Sequence, residues 1–243
     1  MKIIRMPVLA LAFLCVGTIA SAQVDEIKQK SSEHSKSRSS VSSSEGGGSS
    51  SSFGLNFLFQ GIGTWQAAKL QRWQEVPHLV SLEVMVQSAV QPSDYYILHP
   101  RVRGNWGLFS TDFRFNYLVE EDLEGTRHIR TNDWQILQLN IVSTQNVGFR
   151  IGGGVLYEAF GEGNSFGEFT LGLTGQSDSG HLGGMTEYRT AEVRKEWNAH
   201  FQYRILSHGV LHGFATLGVV YQRYYDTINV WGIQAGFVLK IHR

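Results

Sequence analysis

The sequence predicts an all-β fold: an antiparallel up-and-down barrel, ten strands with eight as the alternative, behind a leader and a serine-rich tether. Three observations predict it. Gly107 to Val119 sets Phe109, Thr111, Phe113, Phe115, Tyr117 and Val119 on one parity and Ser110, Asp112, Arg114 and Asn116 on the other, ending on Leu118. Successive side chains of a strand point to opposite faces, so this is a ribbon with one apolar and one charged side. A period of about 3.6 residues would scatter the same residues around a cylinder. The alternation recurs at hairpin spacing from His78 onward, with turn residues between the segments. The 243 residues also hold 27 glycines and 12% aromatics, a composition that suits sheet better than a helical bundle.

Residues 1–22 read as a secretory signal peptide. Lys2 and Arg5 give a basic start, Met6 to Ile19 an apolar run, and Ala20-Ser21-Ala22 a small-residue end, with cleavage expected after Ala22. The run is too short to span a bilayer comfortably as a helix. Cys15 is the single cysteine and lies inside this leader, behind Leu14 where a lipidation signal needs a small residue. The chain beyond the leader therefore has no disulfide, and an exported domain of this kind must be held by its core, by metal or by a membrane solvent.

Residues 23–52 read as a disordered tether. Ser31 to Ser52 holds 13 serines in 22 positions, with Gly46-Gly47-Gly48, and such a composition buries too little apolar surface to offset the entropy of ordering it. Contact of this tether with cell-wall polymer or an envelope protein is the sharper expectation for it. Lysine plus arginine and aspartate plus glutamate both number 21, so no global field draws the chain to nucleic acid.

The barrel domain is assigned to 53–243. Phe53 to Gln60 is a short apolar run, and Gly63 to Gln74 reads equally as a short amphipathic helix or a loop packed on a barrel mouth, ended by Pro77. Strands follow: Val80 to Val86; Tyr96 to Val102, after Gln91-Pro92-Ser93-Asp94; and the ribbon of Gly107 to Val119. A charged loop over Glu120 to Asn132 leads to Leu137, Leu139 and Ile141, then Val147 to Glu158, then Glu168 to Leu173. A Gly/Ser-rich loop covers Gly175 to Gly184. Arg194 to Ile205, Leu211 to Gln222 and Trp231 to Ile241 complete nine two-faced strands.

Volume decides which face is inside. A barrel of about eight strands has an interior only just wide enough for side chains to fill. Each strand here carries three or more large apolar side chains on one parity. The other parity is rich in glycine (Gly148, Gly152, Gly154, Gly172, Gly218, Gly232, Gly236) and in charges of both signs. The apolar parity is too bulky for the lumen, so it faces lipid and the polar parity fills the interior. Tyr117, Trp134, Tyr157, Tyr221 and Trp231 near strand ends suit interface girdles. In these residues, from about Leu55 to Arg243, the chain resembles the small bacterial outer-membrane β-barrel class. The resemblance is one of pattern, and the close on Ile241-His242-Arg243 departs from that class's habit of an aromatic last residue. It implies an even strand count, outer-membrane lipid as solvent and a Gram-negative-type cell. Phe53 to Gln60 is the expected tenth strand, closing against the last.

The lumen parity carries Asp112, Arg114, Arg150, Glu158, Glu168, Arg194, Glu196, His200 and Arg204. Buried charges persist when paired and hydrogen-bonded, so these are expected to form one acid–base network that fills and fixes the barrel. A hydrolase would want a histidine beside a carboxylate. His200 and Glu196 share a strand face but stand about 13 Å apart along it. His208 and His212 have helical ligand spacing on a turn and strand, Gly152-Gly153-Gly154 lacks the features of a phosphate loop, and no catalytic, cofactor or metal residue is assigned. Arg101 and Arg103 beside Trp106 read as lumen filler or headgroup contacts before polyanion ligands. The expected function is a non-enzymatic outer-membrane barrel, a structural component or subunit of an envelope assembly, with a narrow pore as a variant. The alternatives are an outer-membrane enzyme with a rim site and a soluble periplasmic barrel binding an apolar ligand.

Overall fold

The computed structural model describes residues 23–41, 80–91, 95–122, 125–143 and 146–242. Among these residues one helix, α1 (Gln23–Val41), precedes ten strands: β1 (Val80–Gln91), β2 (Tyr95–Trp106), β3 (Phe109–Asp122), β4 (Gly125–Ser143), β5 (Val147–Glu158), β6 (Ser165–Gln176), β7 (Leu182–Ala191), β8 (Arg194–His208), β9 (Leu211–Tyr224) and β10 (Ile228–His242). Each strand pairs antiparallel with its sequence neighbours, and β1 pairs with β10 to close the barrel. All edges are thereby satisfied, which is the condition for an up-and-down barrel to stand without exposed ladder groups.

Ten strands form, but the tenth is not the one expected. Phe53 to Gln60 lies outside the described residues, and the seam joins β1 directly to β10, from Ser81 opposite His242 to Val90 opposite Ile233. The additional strand is β7, whose first residues fall in the segment read as a Gly/Ser loop. Its outward residues Gly184, Thr186, Tyr188 and Thr190 are nearly as polar as its inward ones, so the sequence shows little contrast between its faces. The expected charged loop over Glu120 to Asn132 is also strand: β3 and β4 stay paired out to Asp122 opposite Gly125. Beyond the apolar band these strands are polar on both sides, with Arg127, His128 and Arg130 among them, and the two-residue signal fades. Register shifts in β4 between Trp134 and Leu137 leave Ile136 and Leu137 both facing outward. Such a bulge flips the parity of everything beyond it.

The barrel is apolar outside and polar inside. Phe113, Phe115, Phe169, Leu173, Leu217 and Ile233 are exposed, and Phe201 and Phe237 are exposed to 74% and 65%. Arg103, Arg114, Arg189 and Arg194 are among the largest fully buried side chains. Tyr96, Tyr157, Trp197, Tyr221 and Trp231 form a ring of exposed aromatics toward one end, where Tyr188 stacks at 4.8 Å on Trp197.

The tether differs from expectation over its first part. Residues 23–41 form α1, which lies across the barrel end that carries the β5–β6 and β9–β10 turns; residues 42–52 lie outside the described set. Serine density alone misreads this segment, because its first turns hold the helix formers and acids a helix start favours, Asp25 and Glu26 among them. Val24, Ile27, Ser31 and Ser35 face the barrel at three- and four-residue steps and are buried. Val24 and Ile27 join a cluster with Tyr95, Ile97, Leu118, Ile129, Tyr224 and Val230. Further along, Ser32 and Ser35 hydroxyls donate to the carbonyls of Gln29 and Ser31, returning the serines' hydrogen bonds to the helix itself.

Candidate functional site

The middle of the lumen is an ion lattice of five arginines and five carboxylates. Asp112 on β3 accepts from Arg101 on β2, from Arg103 Nη2 at 3.2 Å and from Arg189 Nη2 at 2.8 Å. Glu187 on β7 accepts from Arg101 Nη2 at 2.7 Å, Arg103 Nη2 at 3.1 Å and Arg189 Nε at 2.7 Å. Deeper, Arg114 on β3 binds both Asp133 on β4 and Glu196 on β8, and Arg194 Nη2 reaches Asp133 at 2.6 Å and Glu168 at 2.9 Å. Arg189 Nη1 bridges the two groups, 3.6 Å from Asp133 and 3.5 Å from Glu168. Gln135 and Gln222 add donors to Glu168 and Glu196 at 2.5 and 2.9 Å. Every member is at most 4% exposed. Many of these contacts tie opposite walls, β2 to β7 and β3 to β8, so the lattice braces the cross-section as well as neutralising itself. Charges this deep are tolerable because each meets several partners of the other sign.

Next to the lattice, toward α1, the filling turns neutral. His99 Nε2 meets Asn116 Oδ1 at 2.7 Å, while Asn116 Nδ2 donates to Thr131 at 3.3 Å and to the Tyr224 hydroxyl at 3.0 Å. Then α1 closes this end. Glu120 accepts the backbone N–H groups of Gln23 and Val24 at 3.1 and 2.9 Å, placing a carboxylate at the positive end of the helix dipole. Glu158 accepts from Ser31 Oγ at 3.0 Å and from the Tyr225 hydroxyl at 2.7 Å. Asp25 pairs with Arg127 at 3.0 Å and His34 with Glu192 at 3.1 Å. Tyr225 and Asp226 make the β9–β10 turn with φ of 49° and 56°, the left-handed pair of a type I′ turn. An aromatic there is strained, and its hold on Glu158 opposes the strain. Burial pushes the Tyr225 phenol well above its usual range, while the hydrogen bond from Lys195 draws the Asp226 carboxyl down.

The opposite end, where β1 begins and β10 finishes, holds a vestibule of about 450 Å³ lined by Arg101, Arg103, Arg150, Arg204, Lys240 and Glu83 among others. Lys240 stands 3.7 Å from Glu83.

The expected single network is therefore divided. Asp112, Arg114, Glu168, Arg194 and Glu196 belong to the lattice. Glu158 does not: it meets α1. Arg150 is buried in the vestibule with its Nη2 3.6 Å from the Met185 sulfur. His200 is buried near Asn198, 3.5 Å away, and Glu196 spends its oxygens on Arg114 and Gln222, so the two do not meet. Arg204 lies at the rim, donating to the Ser179 carbonyl at 3.0 Å. These four share the lumen parity but stand at other heights in the barrel, a coordinate that alternation does not encode. The lattice members missed are Asp133, Glu187 and Arg189, with Arg101 and Arg103 recognised only as filler. A Glu-x-Arg at 187–189 is the available signal, since it repeats the Asp-x-Arg spacing of 112–114. Among the described residues no group of three or more His, Cys, Asp or Glu side chains is placed to hold a metal ion.

No family model matches the chain. No curated protein matches it. Among solved structures, the chain is similar to the N-terminal β-barrel domain of Pseudomonas aeruginosa OprF, with a TM-score of 0.31 and 15% identity over 66% of this chain and 97% of that one.

Proposed function

We propose that this chain is an integral outer-membrane barrel acting as a closed, non-enzymatic structural component of a cell-envelope assembly. The observation that carries the reading is the inverted polarity of the barrel: a charged interior, its central lattice self-compensated, behind an apolar wall. In water that wall would be an aggregation surface far beyond the patches soluble monomers carry. In lipid it is the solvated face, and the exposed aromatic ring at one end fits the headgroup level. A soluble barrel for apolar ligands would need the opposite arrangement.

The same geometry supports closure and a structural role. The lattice braces the middle of the lumen and α1 lies over one end. Acids and bases of the lattice balance one another in charge, leaving no histidine–carboxylate pair poised beside a nucleophile in it. Residues 1–22 fit export as a leader, and the remainder of the expected tether fits contact with an envelope polymer or protein.

The test is insertion. Phe113→Arg places a guanidinium on the outer face of β3, and its expected cost is about 2–4 kcal/mol near the bilayer midplane. Folding into lipid vesicles, followed by heat-modifiable gel mobility, measures it. Wild-type protein that stays in the aqueous supernatant after alkaline extraction, or a Phe113→Arg variant that inserts as well as wild type, would overturn the assignment.

A further inference from the structure

The vestibule contains cations that the lattice does not use. Arg101, Arg103, Arg114, Arg189 and Arg194 are balanced by Asp112, Asp133, Glu168, Glu187 and Glu196. Lys240 faces Glu83. Arg150 and Arg204 remain, and among the described residues no ion pair joins either to a carboxylate. Arg150 is 8% exposed, and its hydrogen-bond acceptor among the described residues is the Met185 thioether, a weak one for a guanidinium. Arg204 holds the Ser179 carbonyl through Nη2, while its Nε is buried without an acceptor. Both line the same cavity, on β5 and β8.

A buried guanidinium without a counter-charge is costly, and a cavity open at the rim lets an anion supply that charge. We propose that the vestibule is a binding site for a small water-soluble oxyanion, a carboxylate or phosphate compound. Arg150 is the deep anchor, and Arg204 closes on the ligand from the rim. Guanidinium forks match the paired oxygens of both groups, which is why arginine suits this task better than lysine. Two carboxylates line the cavity, and Glu187 and Asp112 act on Arg150 from the lattice behind it, both already shared among Arg101, Arg103 and Arg189. Glu83 is engaged by Lys240 and Arg103, and Asp178 at the rim accepts from Asn146. Gln202 adds a neutral amide to the wall. The cavity of about 450 Å³ is large enough for a dicarboxylate or a phosphate monoester. Because the β-wall separates the lumen from the outer face, the ligand enters from water at the rim and not from surrounding lipid.

The inference does not depend on the membrane assignment and is tested on full-length protein folded in detergent. Inorganic phosphate and succinate are titrated by calorimetry at matched ionic strength, with sodium chloride as the reference. Saturable one-to-one binding of either probe is expected, with affinity falling at least tenfold in Arg150→Met and in Arg204→Gln and unchanged in Arg223→Gln on the outer face. Because Arg150 has no carboxylate partner, Arg150→Met is expected to fold with undiminished thermal stability. Should it fail to fold, Arg204→Gln at the half-exposed rim carries the binding test alone. Absence of saturable binding by both probes, or wild-type affinity in the vestibule variants that fold, would overturn the site. A marked loss of stability in Arg150→Met would overturn the reading of Arg150 as a charge awaiting its partner.

Discussion

Arg114 shows what a single lumen residue does in this barrel. It is 1% exposed and holds carboxylates from two strands, Asp133 beside it and Glu196 across the lumen. Arg114→Met largely strands Glu196, which keeps Gln222 and an Arg194 4.0 Å away, while Asp133 retains Arg194 and Arg189; urea unfolding in detergent is expected to show a loss of about 3–5 kcal/mol. Adding Glu196→Gln removes the stranded charge, so the double variant is expected to be more stable than the sum of the two single losses. Strict additivity would break the pairing. Asn116 is less dispensable than a neutral lumen side chain suggests. Its side chain connects His99, Thr131 and Tyr224, so Asn116→Ala is expected to cost about 1–3 kcal/mol in the same assay by leaving buried partners unsatisfied. The sequence shows that Asp112 and Arg114 share a face; it gives no hint that they serve different partners.

At the scale of elements, α1 and the closing seam make separate demands. The helix is held by a carboxylate cap, two apolar side chains and the serine contacts to Glu158 and Asn164. Ile27→Asp buries a carboxylate in an apolar cluster and is expected to release the helix. Amide hydrogen exchange would show lost protection over 23–41 with the strands unchanged. Glu120→Ala removes the cap and is expected to weaken docking by about 0.5–2 kcal/mol, the range for a lost N-cap. Equal protection of α1 in both variants would mean that other contacts hold it. The seam has no comparable slack. At Gly236 a Cβ would lie 2.1 Å from the Val86 carbonyl oxygen in the β1–β10 pairing, so Gly236→Val is expected to block closure and abolish the heat-modifiable folded band.

For the whole molecule, the two obstructions in the lumen are independent. Deleting 23–41 uncovers one end but leaves the ion lattice in place. Planar-bilayer recordings of the wild type and of this deletion are expected to show no discrete conductance steps. Channels in the deletion alone would make α1 a plug on a conducting barrel, and channels in both would show that the lattice does not seal. The barrel itself is expected to fold without α1, because its ten strands close on one another through the β1–β10 pairing.

The sequence by itself determined the all-β class, most of the strands and which parity is charged, because alternation is a local property written in neighbouring residues. It also marked Asp112, Arg114, Glu168, Arg194 and Glu196 as inward charges. Where both faces of a segment are polar, as in β7 and the outer reach of β3 and β4, that contrast vanishes and the strand is hidden. The tertiary structure alone decided the rest. Ring closure sets which heights face each other across the lumen, and so which arginine meets which carboxylate. It brought Asp133, Glu187 and Arg189 into the lattice and left Arg150 and Arg204 outside it. It also made a helix of residues 23–41, because a serine-rich segment with two buried apolar side chains gains little alone. The mouth of a finished barrel supplies the carboxylate and the apolar floor that hold it.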